Sequence, residues 1–308
     1  MNSLFESKQC PVCNGESFTV ISPSSYPKDI SRNDMKSIYS SSSNHMLMDQ
    51  LVQCNGCNLK YINPQVREDI IFSSYEDAVD PTFIKQNPLR ILTFHRNLIW
   101  LCKRFNIKPS LEKKVLDVGC AGGAFPVAAS ELGFTVIGVE PSRWLAEQAR
   151  NTYGLDIRSG SLESQKLTPS SFDIITLWDV IEHLTTPSQV IDSINQLLKK
   201  NGLLVINYPD YDSLTRRFMG MRWPFFLSVH LIYFTPKTIR RFLDERGFDV
   251  LTLRPYWQTL ELGYALERAG AYFKIFKIVA RVINFIGLGR LPLRYNMGQT
   301  LLVARKRS

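Results

Sequence analysis

The sequence has no run of about eighteen or more uncharged apolar residues, which excludes a polytopic membrane protein. Its first residues, MNSLFESKQC, show no basic start followed by an apolar stretch, so no secretory leader is visible and the cytoplasm is the expected compartment. Histidine is scarce, at four residues, and no internal repeat is found. Acidic residues are absent after Glu267. The net charge of +9 therefore sits wholly in the tail, because the first 267 residues carry 28 cations against 28 acids. Any anionic partner is expected there. Otherwise the composition is ordinary: 44% of the 308 residues are hydrophobic and 21% charged, which excludes a disordered or fibrous chain. At about 100–200 residues per domain, the length suits two domains, or one with an appendage.

Four of the six cysteines form two C-x-x-C pairs, Cys10-Pro11-Val12-Cys13 and Cys54-Asn55-Gly56-Cys57. In a reducing compartment that spacing favours metal over disulfides. Each pair places two thiolates on one tight turn, and the four complete a closed tetrahedral site, structural because no position is left open. Zinc is the expected metal, and closed thiolate sites suit iron as well. The Ser-rich stretch around Ser40 to Ser43 reads as a loop between the pairs. Residues 1–75 are thus expected to form a zinc-ribbon module. Residues 76–110 are expected to be a helical linker, with a helix over roughly Pro88 to Phe105 closed by Pro109.

From Lys113 the pattern alternates between strand and helix. KKVLDVG, FTVIGVE, Leu155 to Ser159, FDIITLW, LLVINYPD, FDVLTLRP and QTLLVARKR read as strands. PSRWLAEQARNTYG reads as a helix ending at Gly154, SQVIDSINQLLKKNG as one stopped by Gly202, and TPKTIRRFLDERGF as one running from Thr235 to a cap at Gly247. The expected fold class is α/β: a Rossmann-like, seven-stranded, mostly parallel sheet over 111–308, with a helical insertion at about 257–297.

The first of these strands runs into a glycine-rich turn, Val115-Leu116-Asp117-Val118-Gly119-Cys120-Ala121-Gly122-Gly123. A dinucleotide fingerprint would need glycines at 121 and 124, where Ala121 and Ala124 stand. Asp117 gains nothing beside a pyrophosphate but suits a cationic ligand. This stretch resembles the first motif of class I S-adenosylmethionine-dependent methyltransferases. The resemblance implies S-adenosylmethionine as cofactor, held by the turn residues Asp117, Gly119, Cys120, Ala121, Gly122 and Gly123. It implies Glu140, with Pro141, at the end of the second strand, accepting from the ribose hydroxyls. Ser161 and Leu162 fall at the adenine position, where family members often carry an acid. Trp178 and Asp179 open a D-V-I-E-H-L segment similar to that of small-molecule methyltransferases. Trp178 is expected either on the cofactor or in the sheet core, and Cys120 to pack rather than react.

Methyl transfer from a sulfonium is an in-line displacement that needs close approach, dry surroundings and, for an O- or N-acceptor, a base near neutral pKa. Of the four histidines, His45 falls in the Ser-rich loop and His95 in the linker helix. His183 lies in the fourth-strand segment. His230 opens an H-L-x-Y-F-T-P pattern, also similar to the family. Either is expected to contact the acceptor, one as general base, or else to orient a loop.

The wording C-P-V-C … C-N-G-C-N-L-K-Y-I-N-P resembles a subgroup with an N-terminal zinc ribbon, associated with bacterial surface polysaccharide or glycolipid synthesis. The resemblance reaches about residue 256 and implies O-methylation of a sugar or lipid-linked glycan intermediate. A quinone-like or other small lipophilic acceptor is an alternative. So is a non-catalytic, membrane-associated adaptor with a degenerate cofactor fold. Within the insertion, Ala271 to Ile286 reads as a helix. Lys274, Lys277 and Arg281 form one stripe, and Phe273, Ile275, Ile278, Val282 and Phe285 are among the apolar rest. That pattern suits an anionic membrane surface reached through 264–296, at the inner face of the membrane, or docking on the protein's own core or a dimer partner. The cations are too few and dispersed, without a recognition motif, for a nucleic-acid partner.

Overall fold

The computed structural model describes residues 4–40, 43, 45–270 and 274–307. Its main sheet has strands β1 (Lys114–Val118), β2 (Thr135–Glu140), β3 (Asp156–Ser159), β4 (Phe172–Trp178), β5 (Leu198–Pro209), β6 (Phe248–Pro255) and β7 (Gln299–Lys306). Their spatial order is β6-β7-β5-β4-β1-β2-β3, with β7 antiparallel to both neighbours and β1 to β5 parallel. Adjacent residues such as Val115 and Leu116, Ile174 and Ile175, or Val205 and Ile206 are buried in the hydrophobic cores on opposite faces. This is why these strands read as continuous apolar runs rather than alternating ones. The strand order reverses between β1 and β4, and a crevice opens there at the carboxyl ends.

Around the sheet run helices α1 (Glu68–Glu76), α2 (Asn87–Phe105), α3 (Ala124–Glu131), α4 (Arg143–Tyr153), α5 (Pro187–Leu197), α6 (Leu214–Met219), α7 (Pro236–Asp244), α8 (Leu262–Ala269) and α9 (Ile275–Phe285). Two helix ends differ from the sequence expectation. α5 stops at Leu197, not Gly202, because Leu198 pairs with Phe172 and Lys199 Nζ reaches Asp173 Oδ2 at 2.6 Å, capturing the segment for the sheet. α7 has Thr235 as its N-cap as expected, in a capping box with Thr238, but its last residue is Asp244, capped by Glu245; Gly247 takes its left-handed φ of 79° two residues beyond the cap. α2 ends at Phe105 as expected, closed by Asn106 in a left-handed conformation (φ 52°) rather than by Pro109.

The cysteine module is an antiparallel sheet of Phe18–Ser22, Leu51–Cys54 and Lys60–Ile62. Its fourth strand, Ile232–Tyr233, comes from beyond β5 and pairs with Lys60–Ile62. One continuous core joins Cys10, Tyr39 and Tyr61 of the module to Leu116 and Leu177 of the main sheet and Phe242 of α7. The module is therefore packed into the main body. A helix at Arg32–Ile38 precedes the Ser-rich stretch, of which Ser41 and Ser42 lie outside the described residues. The insertion between β6 and β7 is clasped at its base by Gln258–Glu261 pairing with Pro292–Tyr295. Ala271 and Phe273, expected in its helix, lie outside the described residues.

Candidate active site

A cavity of about 590 Å³ opens at the carboxyl ends of β1, β2, β3 and β4. Its floor is the turn after β1. Gly119 there has φ 72°, and a Cβ would stand 2.6 Å from Val180 Cγ2, so only glycine lets this turn pass beneath the one after β4. Ala121 (φ 46°) and Asp179 (φ 55°) hold left-handed backbone without being glycine, and both line the cavity. Such strain persists where surrounding structure over-determines it, commonly at ligand sites. Gly123 lies outside the lining: it starts α3 in left-handed conformation and packs towards Ala149 and Tyr153.

Three buried acids converge on the cavity. Glu140 Oε2 accepts from the Ala121 N–H at 2.8 Å and Oε1 from the Ser142 N–H at 2.9 Å, and burial nevertheless pushes its carboxyl up to about 7. Asp117 Oδ1 accepts from Thr176 Oγ1 at 2.5 Å, and burial raises it well above the carboxylate range. Asp179 accepts from Asn207 Nδ2 at 2.8 Å and from Gln299 Nε2, and burial lifts it to about 6. Arg90 of α2 is the cation that favours the ionised forms of Asp117 and Asp179. Its guanidinium stacks on Phe83 at 4.1 Å, and its buried Nε has no partner among the described residues. Clustered acids with an unsatisfied arginine make a pocket complementary to a ligand that carries both a cationic centre and an anion.

Pro141, Ser161, Leu162, Cys120 and Gly122 also line this cavity. Cys120 Sγ packs on Gly138, where a Cβ would lie 2.7 Å away, and burial raises its thiol, so it is a packing residue. Trp178 has ring contacts with Phe94 (5.1 Å), Phe125 (5.3 Å) and Tyr256 (5.6 Å), which places it in the core against the sheet, and it also lines the cavity.

The histidines divide by place. His183 lines the cavity; His230 lies behind it, ring against ring at 4.7 Å, and is not part of the lining. His183 Nδ1 lies 2.9 Å from the Val229 carbonyl and 2.8 Å from Tyr75 Oη. A carbonyl only accepts, so Nδ1 carries the proton. Burial pushes the imidazole down to about 4, so the ring holds one proton at neutral pH and Nε2 is bare. His230 Nδ1 likewise donates to the Phe225 carbonyl at 2.7 Å. Glu182 has a buried Oε2 without a hydrogen-bond partner among the described residues, and its carboxyl is raised by burial and by Asp179; it lies within 4.8 Å of both rings' ligating atoms. His45 is exposed, and His95 pairs with Glu131 on the surface.

Glu68, Ile71, Phe72 and Tyr75 of α1 close the cavity from the module side, and Arg90 and Phe94 from α2. The sequence reading missed all of these. The 68, 71, 72, 75 spacing marks one helix face, which was the available signal, but it does not say what that face covers.

Residues 85–253, more than half the chain, match a family profile described as a methyltransferase domain. The chain belongs to this family. The methyltransferase domain is 30% identical over 180 residues to a ubiquinone biosynthesis O-methyltransferase of Schizosaccharomyces pombe, covering 52% of this chain and 64% of that one. It is 37% identical over 102 residues to one of Actinobacillus pleuropneumoniae, covering 30% and 44%. The chain spans less than two thirds of the length of these relatives. A solved S-adenosylmethionine-dependent methyltransferase from Thermotoga maritima superposes with a TM-score of 0.47 at 18% identity, covering 72% of this chain and 91% of that one.

The cysteine module lies outside the matched stretch. Its two turns are alike: Asn14 N–H donates to Cys10 O at 2.8 Å and Asn58 N–H to Cys54 O at 2.9 Å, with both asparagines left-handed. Cys10 and Cys57 Sγ are 3.4 Å apart, as are Cys13 and Cys54, and the four sulfurs lie within 4.8 Å of one another. A tetrahedron with ~2.3 Å metal–sulfur arms has edges near ~3.8 Å, so the set fits one zinc ion. Burial raises the Cys10 thiol, and the backbone N–H groups of Val12 and Cys13 that face its Sγ offset part of that; those of Gly56 and Cys57 face Cys54 Sγ and, against burial, bring its thiol below the usual range.

Proposed function

We propose that the protein transfers the methyl group of S-adenosylmethionine to a hydroxyl of a small lipophilic, quinone-like acceptor. The observation that carries the cofactor assignment is the convergence of Glu140, Asp117, Asp179 and Arg90 on one cavity over the Gly119 turn. Glu140 takes the ribose hydroxyls, the acids at β1 and β4 the amino and sulfonium end, and Arg90 the carboxylate. Gly119 to Gly122 provide the close backbone approach, Ser161 and Leu162 flank the adenine, and His183 serves the acceptor. Bound, the sulfonium supplies a methyl group with a good leaving group, and the chain contributes alignment and dryness. Cys10, Cys13, Cys54 and Cys57 hold a structural zinc.

The acceptor class rests on two supports. The relatives are named for ubiquinone biosynthesis, and the wall near His183 includes Ile71, Phe72, Leu184 and Val190. Both favour the quinone-like acceptor over the sugar or glycolipid expected from the zinc-ribbon subgroup. A full set of cofactor-facing acids speaks against a non-catalytic adaptor.

Calorimetric titration with S-adenosylhomocysteine tests the cofactor site. Wild-type protein is expected to bind in the micromolar range and Glu140→Ala at least about tenfold more weakly, ~1.4 kcal/mol. No binding by zinc-loaded wild type would refute the assignment. A pH series adds a second readout. Ribose hydroxyls donate to the ionised carboxyl, and Glu140 in the free protein titrates at about 7. Affinity is therefore lost as pH falls through 7, about tenfold lower at pH 6 than at pH 8, and Glu140→Gln flattens that slope.

A further inference from the structure

α9 is expected from its sequence to hide an apolar face, and the structure leaves that face bare. Among its residues Ala280 alone is buried, while Ile275, Ile278, Val282 and Ile286 are more than half exposed and Phe285 is 91% exposed. At ~100° per residue these five fall on one stripe, and Lys274, Lys277 and Arg281, all exposed, fall on the adjoining stripe. α8 meets the side of α9 that carries Asn284, which faces Gly263 and donates to Glu267, so docking on the protein's own core does not account for the bare side.

A second feature of the same kind lies on a segment that leaves the same side of the main sheet. On α6 and just beyond it, Leu214 is 70%, Phe218 88% and Met221 50% exposed, beside exposed Arg217. Both features leave the same edge of the main sheet. Pro209, at the end of β5, pairs with Gln299, and Pro255, at the end of β6, with Thr300. The Asp210 N–H donates to Gly298 O at 2.9 Å and Trp223 Nε1 to Met297 O at 2.8 Å, tying the α6 segment to the foot of the insertion. That edge is the carboxyl one, where the cavity opens.

We infer that α9 and α6 together form a docking surface for an anionic lipid bilayer. Two fully bared phenylalanines on separate elements suit a fluid apolar medium, and cations bordering them suit lipid headgroups. Charge complementarity favours lipid over a second copy of the chain, because α9 carries no acid to pair with Lys274, Lys277 and Arg281, whereas anionic headgroups supply one for each. No helix among the described residues is long and apolar enough to cross a membrane, so the contact is with the surface. Docking by this edge turns the cavity mouth towards the lipid. If the acceptor is lipophilic as proposed above, it would reach the site without crossing water.

Flotation of the whole protein with vesicles tests this. The protein is expected to float with vesicles of phosphatidylcholine and phosphatidylglycerol in equal parts. It should float poorly with phosphatidylcholine alone and lose binding as salt rises. Phe285→Asp combined with Phe218→Asp is expected to lower the bound fraction about tenfold or more, with an unchanged thermal midpoint because both side chains are exposed. A wild type that fails to float, or a double variant that floats as well as wild type, would overturn the proposal. So would a dimer seen by light scattering that Phe285→Asp dissociates in a protein without vesicle binding. None of these readouts requires methyl transfer.

Discussion

His183→Ala is expected to lower turnover by roughly 10²–10⁴-fold while leaving affinity for S-adenosylhomocysteine within a few-fold. The reasoning starts from the proton on Nδ1. Val229 O holds it, so Nε2 is the ring atom left to take a proton from an acceptor hydroxyl. The ring is neutral because burial pushes its pKa to about 4, and the base form is lost only as pH falls through that value. Wild-type rate should therefore show no histidine limb between pH 5 and 8. A purely structural His183 predicts something else. Asparagine can also donate to the Val229 carbonyl but offers no basic nitrogen. His183→Asn restoring turnover would assign His183 to orienting the loop; His183→Asn as inactive as alanine supports the base. His230→Ala, behind the ring, is expected to cost less in turnover, because His230 does not line the cavity.

The strand-end part of the cavity was legible because its residues are local to strand ends. Asp117 precedes Gly119 by two residues and Glu140 ends the next strand, so spacing together with the family resemblance singled them out, and all three line the cavity. The rest of the lining was not. Tyr75 and Phe72, on the side proposed for the acceptor, reach the cavity from a helix more than forty residues before the Gly119 turn, and Arg90, proposed for the cofactor carboxylate, from another. A helix face announces burial through its period, but the crevice it closes is fixed by tertiary packing. His183 and His230 looked equivalent because both follow strands, and only the folded chain puts one ring in front of the other. The two-residue strand Ile232–Tyr233 carries no period at all, so nothing local showed that it completes the cysteine module's sheet. α5 misled for a different reason: Leu197 and Leu198 continue the helical pattern, but pairing of Leu198 with Phe172 wins.

Stripping the zinc proposed for the four cysteines should abolish turnover with the cofactor motifs intact. Structural zinc sites of this thiolate type contribute ~10–16 kcal/mol to folding of small peptides at neutral pH, and without metal four sulfurs are left crowded within 4.8 Å. The module cannot loosen alone. Its residues Cys10, Tyr39 and Tyr61 share a core with Leu116 and Leu177, and Ile232–Tyr233 ties its sheet to the segment bearing His230. α1 follows the module directly and carries Tyr75, whose oxygen meets His183. Cys13→Ser, breaking one ligand, is expected to lower the thermal midpoint by about 5 °C, as a loss of ~3–4 kcal/mol does at roughly 1.5 °C per kcal/mol in a chain of 308 residues. Metal analysis should find one zinc per wild-type chain. Affinity for S-adenosylhomocysteine should fall less than turnover, because Glu140, Asp117 and Asp179 stand on β2, β1 and the turn after β4, which the main sheet holds independently of the thiolates. If chelation leaves melting and turnover unchanged, the cysteine turns are held by their own hydrogen bonds. If both ligand affinity and turnover vanish together, the module supports the whole crevice rather than its acceptor side.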